Sequence, residues 1–294
     1  MKIQSLLCVA GTVLGLAVAA TAQSDAKLAP SVWLSSELLG MKVLSQEGTN
    51  LGKIEDIVVH PGGKASYAVM SFGEWHGVGD KLFAMPWAVL RTVEADTAKK
   101  DSTRSLVLPL TKEKLKAAPG FDKAKWPVVS NAEWTLDIDK YYAGESNPNY
   151  GETIEAAART SNVTWRVSEL KGFDVTTPTG QELGELREIA VDTNGRVSYA
   201  TLSVGGFLGI GDRVVAVPWD SLNFSVGGTK GDERKITLAV TKKQLELAPE
   251  FKTGKANCAE MCDPKWVQQV YTHYSSPAYW NRTGTLDTPA KSKN

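Results

Sequence analysis

The chain has 294 residues, 42% of them apolar, with 33 basic and 33 acidic side chains and a formal net charge of zero at pH 7. That balance argues against a nucleic-acid binder, which would show a basic excess or patch, and the apolar share is that of an ordinary globular protein. Three cysteines in such a length exclude a small scaffold built on disulfides.

Lys2, the apolar run at 6–20 and the triplet Ala20-Thr21-Ala22 read as a secretory signal peptide over residues 1–22, cleaved before Gln23. The run falls short of the ~20 residues that a spanning helix needs. Cys8 lies early in it, without the small-residue pattern of a lipid attachment site. The expected mature chain is therefore exported, periplasmic or extracellular, with no transmembrane segment. It retains two cysteines, Cys258 and Cys262.

From residue 36 the chain repeats itself. Residues 36–90 align with 168–222 at a constant offset of 132, without a gap, and 23 of the 55 pairs are identical. SEL, LG, SYA, GVGD/GIGD and PW recur in the same order. Self-similarity of this kind means two small domains of one fold, so a residue kept in both is first a candidate for holding that fold. A task specific to this protein falls to residues present once.

In the first copy, strands are predicted at 41–45, 53–60, 65–72, 81–87 and 105–110. A Pro-Gly-Gly turn lies at 61–63 and a glycine-rich connection at 73–79. A short helix starts at Thr111, whose hydroxyl can cap the first turn, and stops before Pro119. The second copy repeats the pattern, with Asn194-Gly195 between strands 185–192 and 197–204, a strong hairpin signal. A last strand at 235–240 leads to a helix capped by Thr241 and Gln244 at capping-box spacing and ended by Pro249. Repeat 1 is set at 31–120 and repeat 2 at 163–252. A connector over 121–162 carries Trp126, Trp134, Tyr141 and Tyr142, an irregular linker at 144–151 and a helical turn or two at 152–160. A tail at 253–294 fades into a polar end from residue 283. Short strands at this spacing suggest closed or half-closed barrels, since closure removes exposed edges. The expected fold class is mainly β: two small barrels in tandem, each closed by a short C-terminal helix.

The opening S-E-L-x-G at 36–40 and 168–172, the G-x-x-L-G turn at 48–52 and 180–184, and the G-[VI]-G-D…P-W run at 77–87 and 209–219 resemble the PRC-barrel domains. The second copy's GIGDRVVAVPWDSL is the closer match. This family has a small barrel of about six strands. It occurs in the cytoplasmic part of the photosynthetic reaction-centre H subunit and in a bacterial ribosome-maturation factor. The resemblance implies a protein-binding or assembly module and brings neither catalytic residues nor a cofactor.

Asp80 and Asp212 follow the glycine hairpins in both copies. They are expected to be structural, accepting backbone N–H groups in tight turns. A metal or general-acid role would need a second carboxylate or a histidine at fixed spacing. The glycines at 77, 79, 209 and 211 lack the Lys-Ser/Thr and the following helix of a phosphate loop. Pro86-Trp87 and Pro218-Trp219 are expected to be structural as well, proline ending the strand and indole plugging the barrel end; a ligand-stacking platform is the alternative. His76, beside Trp75, aligns with Leu208 and is not needed by the fold. With Trp75 it is a possible partner surface, as are Trp266, Tyr271, Tyr274, Tyr279 and Trp280 of the tail. Lys125-Trp126 echoes Lys265-Trp266, which favours packing of each aromatic segment on its own barrel. The expected function is an exported non-enzymatic binding or assembly module contacting an envelope or other protein partner. The alternative is a metal- or redox-linked envelope protein using Cys258 and Cys262.

These two cysteines are expected to form a disulfide in the exported protein. A continuous helix would hold Cα atoms four positions apart at about 6 Å, within bridging range, and the short loop makes the entropic gain small. Metal binding would need two further ligands. Mass spectrometry of the non-reduced mature protein should find both thiols protected, and reduction should loosen the tail while both barrels stay folded. Two alkylatable cysteines without metal refute the bridge, and two protected cysteines with stoichiometric zinc transfer the pair to a metal site.

Overall fold

A computed structural model describes residues 31–72, 81–93, 104–128, 131–143, 164–205, 213–227, 233–252, 261 and 263–277. The predicted signal peptide, the glycine-rich loop at 73–79, the turns at 152–160 and the polar end lie outside these residues. Among the described residues no helix is long and apolar enough to cross a membrane.

Repeat 1 begins with β1 (Val32–Leu34) and a single helical turn, α1 (Ser35–Leu38), which is the S-E-L motif. Then come β2 (Lys42–Leu44), β3 (Asn50–His60), β4 (Lys64–Phe72) and β5 (Lys81–Pro86). A 3-10 turn at Trp87–Val89 leads to β6 (Arg91–Val93), β7 (Ser105–Val107), helix α2 (Lys112–Ala117) and β8 (Gly120–Asp122). The connector contains helix α3 (Ala132–Tyr142). Repeat 2 runs β9 (Trp165–Arg166), α4 (Val167–Leu170), β10 (Asp174–Thr176), β11 (Glu182–Asp192), β12 (Val197–Val204), β13 (Arg213–Pro218), a 3-10 turn, β14 (Leu222–Gly227), β15 (Glu233–Leu238) and helix α5 (Lys242–Glu246). The tail adds helix α6 (Pro264–His273).

The two strand orders match. Repeat 1 is β6-β7-β2-β3-β4-β5-β8 and repeat 2 is β14-β15-β10-β11-β12-β13. The Val215–Glu250 bridge stands where β8 pairs with β5. One of the two sheets curls as a half-barrel, and the mainly β class expected from sequence, with two tandem barrels, is the class observed. Both closing helices are present. Thr111 accepts from the Lys114 amide, and Thr241 with Gln244 forms the reciprocal capping box. Gly52 and Gly184 explain the L-G motif. Both have positive φ, and a Cβ would lie 1.9 Å from the Ser71 carbonyl oxygen and 2.1 Å from that of Ser203.

The sequence reading sets two barrels on either side of a connector over 121–162. In the structure each sheet takes a strand from the other repeat. β1 pairs antiparallel with β11 (Trp33 opposite Val191), and β9 pairs antiparallel with β3 (Trp165 opposite Val59). The reason lies in strand lengths. β3 and β11 have eleven residues each, but their neighbours β2 and β10 have three, so half of each long edge is left without hydrogen bonds. The foreign strand fills it. Trp33 and Trp165 stand at equivalent positions, and both are fully buried. One apolar cluster runs from repeat 1 into repeat 2.

The hairpin tips meet as well. Lys64 and Arg196 form an antiparallel bridge, the Ala65 amide donates to the Gly195 carbonyl (2.7 Å), and the Val197 amide donates to that of Gly63 (2.9 Å). Each tip covers the other repeat's conserved tryptophan. Trp219 Nε1 donates to the Pro61 carbonyl at 2.8 Å. A Cβ on Gly63 would come within 3.0 Å of Trp219 Cδ1, and one on Gly195 within 2.3 Å of Trp87 Cδ1. These indoles are buried at the ends of their own strands, and the turn that covers them comes from the other repeat.

Replacing Trp87 or Trp219 by Ala should cost about 3–5 kcal/mol through lost transfer energy and a cavity. Gly63 and Gly195 share a φ of 78°, so the backbone strain of an alanine is the same at both and only the indole distance differs. Gly195→Ala is expected to lower the melting temperature more than Gly63→Ala. Equal losses in thermal melts would refute the tight seat of Trp87.

Candidate functional site: the seam and the aromatic straps

A β-bulge interrupts β3 between Ile54 and Asp56, and its counterpart interrupts β11 between Leu186 and Glu188. Bulges re-aim side chains, and here both carboxylates turn toward the first helical turn of the other repeat. Asp56 accepts from the Ser168 amide (3.1 Å), the Ser168 hydroxyl (2.5 Å) and its neighbour Ile57's amide (2.9 Å). Glu188 accepts from the Ser36 amide at 2.9 Å and from the Ser35 hydroxyl. The serine of S-E-L is thus a cross-repeat donor. Burial raises the Asp56 carboxyl above its ordinary range, opposed by the Ser168 and Ile57 hydrogen bonds and by Arg166.

Beside each clamp an arginine stacks on the exchanged tryptophan. Arg104 lies 4.8 Å from the Trp33 ring and 3.5 Å from Glu37. Arg234 lies 4.6 Å from the Trp165 ring and 3.0 Å from Glu169. Burial pushes the Glu169 carboxyl up, yet hydrogen bonds from Arg166 and the charges of Arg166 and Arg234 hold it below the usual range. Trp126 stacks 4.5 Å from the Arg166 guanidinium, so it joins repeat 1 to repeat 2. The expected echo of Lys125-Trp126 in Lys265-Trp266 is corrected by this geometry.

The counterpart of Trp266 is Trp134, 132 positions earlier. Trp134 lies 5.9 Å from Tyr67 and Trp266 lies 5.8 Å from Tyr199, two tyrosines of the repeated S-Y-A. Helices α3 and α6 are therefore equivalent straps, each laid on its own barrel. Asn131 and Asp263 cap them by accepting from the Glu133 and Lys265 amides. Tyr141 donates to the Lys114 carbonyl, and His273 Nε2 donates to the corresponding Gln244 carbonyl at 2.9 Å. The straps differ in chemistry at the buried pair Asp139 and Tyr271. Tyr67 donates to Asp139 (3.1 Å), whereas Tyr271 packs 5.4 Å from Tyr199 and donates to the Ser198 carbonyl.

Of the sequence-selected residues, Pro86, Trp87, Pro218 and Trp219 are buried, and the two tryptophans lie at the seam. Tyr271 is 2% exposed, which corrects its assignment to a partner surface: the α6 face carrying it, Val267 and Val270 closes over Ala190, Tyr199 and Ala216. Trp266 and Tyr274 are half-buried against the same cluster. Cys258, Cys262, Asp80, Asp212, Trp75, His76, Tyr279 and Trp280 lie outside the described residues. Among the described residues no three His, Cys, Asp or Glu side chains converge as a metal site requires. An open groove runs between α5 and α6, lined by Arg213, Leu247, Gln268, Gln269 and His273, with Leu247 69% exposed. Sequence reasoning missed Trp33, Trp165, Asp56, Glu188 and the strap pairing. The signal for the tryptophans was the same 132-residue offset, carried three positions before the aligned stretch and into the two straps.

A raised carboxyl favours the folded state while protonated, so the stability from Asp56 is present below the unfolded carboxyl's value of about 3.9 and is lost as pH rises through the folded one. Asp56→Asn keeps an acceptor for the amides and removes the charge. Its melting temperature relative to the parent should therefore rise between pH 3.5 and pH 6, the interval beginning at about that unfolded value. A fall over the same interval would show that the Ser168 contacts outweigh burial.

The family model of the PRC-barrel domain matches twice, at residues 33–112 and 164–245. No curated protein matches the chain significantly. Both matched segments begin at the exchanged strands and end in the short helices that close each barrel, and together they span more than half the sequence. The chain belongs to the PRC-barrel family, which it carries in tandem.

Proposed function

We propose that this protein is an exported, non-enzymatic binding and assembly module that presents two PRC barrels as one rigid body to an envelope or other protein partner. The observation that carries this reading is the reciprocal strand exchange. It spends the repeated polar and aromatic residues, Asp56 and Glu188, Trp87 and Trp219, Trp33 and Trp165, on internal contacts. What remains for a partner is surface, including the groove beside Leu247 and the sheet edges. Family membership supports the same reading, since PRC barrels are generally non-catalytic modules. Export rests on the residues before Gln23.

Two measurements test this. The mature protein should begin at Gln23 and fractionate with the periplasm or the medium. Lysine-directed crosslinking in the native envelope should trap a recurrent protein partner. A cytoplasmic, uncleaved chain overturns the export, and an exported chain that yields no recurrent crosslink overturns the binding role.

A further inference from the structure

Most sheet ends among the described residues are short, charged or occupied. β1 and β9 complete the other repeat's sheet over three and two residues. β6 is three residues long and contains Arg91; β8 is three residues long and ends on Asp122. The outer side of β13 meets Glu250 through Val215. These are the usual ways of guarding an edge.

β14 is the exception. It has six residues, L-N-F-S-V-G, with no charge and no proline. It is bonded to β15 along its whole length on one side, and among the described residues the strand order ends with it on the other. Its two faces differ, as alternation requires. On the inner face Leu222 is buried, and the Phe224 ring lies 4.6 Å from Trp219 and 5.7 Å from Trp165, which fixes the strand on the core. Val226 continues that apolar row but is 40% exposed. On the outer face Asn223 and Ser225 are exposed and uncharged.

We propose that the free edge of β14 accepts an extended segment of a partner protein as an added strand, one that alternates aliphatic residues with serine or threonine. This rests on the binding-module reading and names its partner's chemistry. Main-chain N–H and C=O groups along the edge supply the hydrogen bonds, and side-chain alternation supplies the selectivity. Aliphatic residues of the guest extend the Phe224–Val226 row and cover Val226, while its hydroxyls lie beside Asn223 and Ser225. The edge offers no charge, so a charged residue at the centre of the guest would lose water without compensation. A second copy of this chain fits less well. A six-residue edge covers far less than the roughly 1,200–2,000 Å² of a stable protein–protein interface. A flexible segment needs no second folded surface in register and gains from a strand held rigid beforehand.

The test uses the isotope-labelled full chain and a synthetic peptide, TVTVTV with two lysines at each end. Amides of residues 222–227 should shift saturably and exchange more slowly with solvent. A proline in the middle of the peptide, or Val226→Lys in the protein, should weaken binding by about tenfold or more, as charge and proline do at natural edges. Val226 is a surface residue, so the variant should keep its melting temperature, and the peptide-side proline provides the same comparison on the unaltered protein. No shift at 222–227 with millimolar peptide, or unchanged affinity for both altered partners, overturns the proposal. A concentration-dependent dimer in light scattering that Val226→Lys abolishes assigns the edge to a second copy instead. Envelope crosslinks that survive in Val226→Lys would show that the edge alone was wrongly assigned.

Discussion

An eleven-residue strand beside a three-residue neighbour leaves half of its main-chain edge unpaired, and this protein has that deficit twice, in β3 and in β11. Buried N–H and C=O groups without partners cost about 1–3 kcal/mol each, so such an edge must be covered. The covering strands come from across the repeat boundary. Once β1 lies on β11 and β9 on β3, the hairpin tips face each other, and each tip closes over the other repeat's tryptophan. The repeats are then joined like the halves of an isologous dimer, each giving what it receives.

The polar groups at the seam follow from this symmetry. A carboxylate on a bulged strand meets the open N–H groups of a helical turn four residues long, and the turn's own glutamate satisfies the cap residue at the same end by accepting from Leu34 in one repeat and Arg166 in the other. Buried carboxylates are costly unless hydrogen-bonded, and both are. The repeats are not identical there. Glu188 holds a serine hydroxyl and an amide, whereas the shorter Asp56 also takes an amide from its own strand and sits deeper, where burial dominates its titration. Arginine stacked on each exchanged indole adds charge beside glutamate without breaking the apolar packing.

This arrangement changes what two binding modules can do for a partner. Barrels on a flexible connector would reinforce each other through an effective concentration set by linker length. Barrels locked through a shared seam present their surfaces at a fixed distance and angle, so a partner must match that geometry or use one side only. The differences between the repeats then matter more than their likeness. Asp139 stands where repeat 2 has Tyr271, Ala117 where it has the exposed Leu247, and a three-residue edge strand where it has six.

Much was legible in the amino-acid sequence because it is local or periodic. Hairpins at 61–63 and 194–195 come from glycine at positive φ, the helix caps from Thr111 and Thr241, and the doubled barrel from a constant offset. The family followed from the order of those motifs. Other features were decided by tertiary structure alone. Alternation along a strand says which residues face inward but not which chain segment lies beside it, and a strand of two or three residues carries too little pattern to be seen at all. Hence β1 and β9 escaped notice although Trp33 and Trp165 keep the offset. The indoles of Trp87 and Trp219 read correctly as buried, but their cover came from the opposite repeat, because the turn that closes over them is placed by the exchange and not by any neighbouring residue. The tail's aromatic residues read as either strap or surface. Tyr271 became core because α6 finds on repeat 2 the same tyrosine-lined seat that α3 finds on repeat 1.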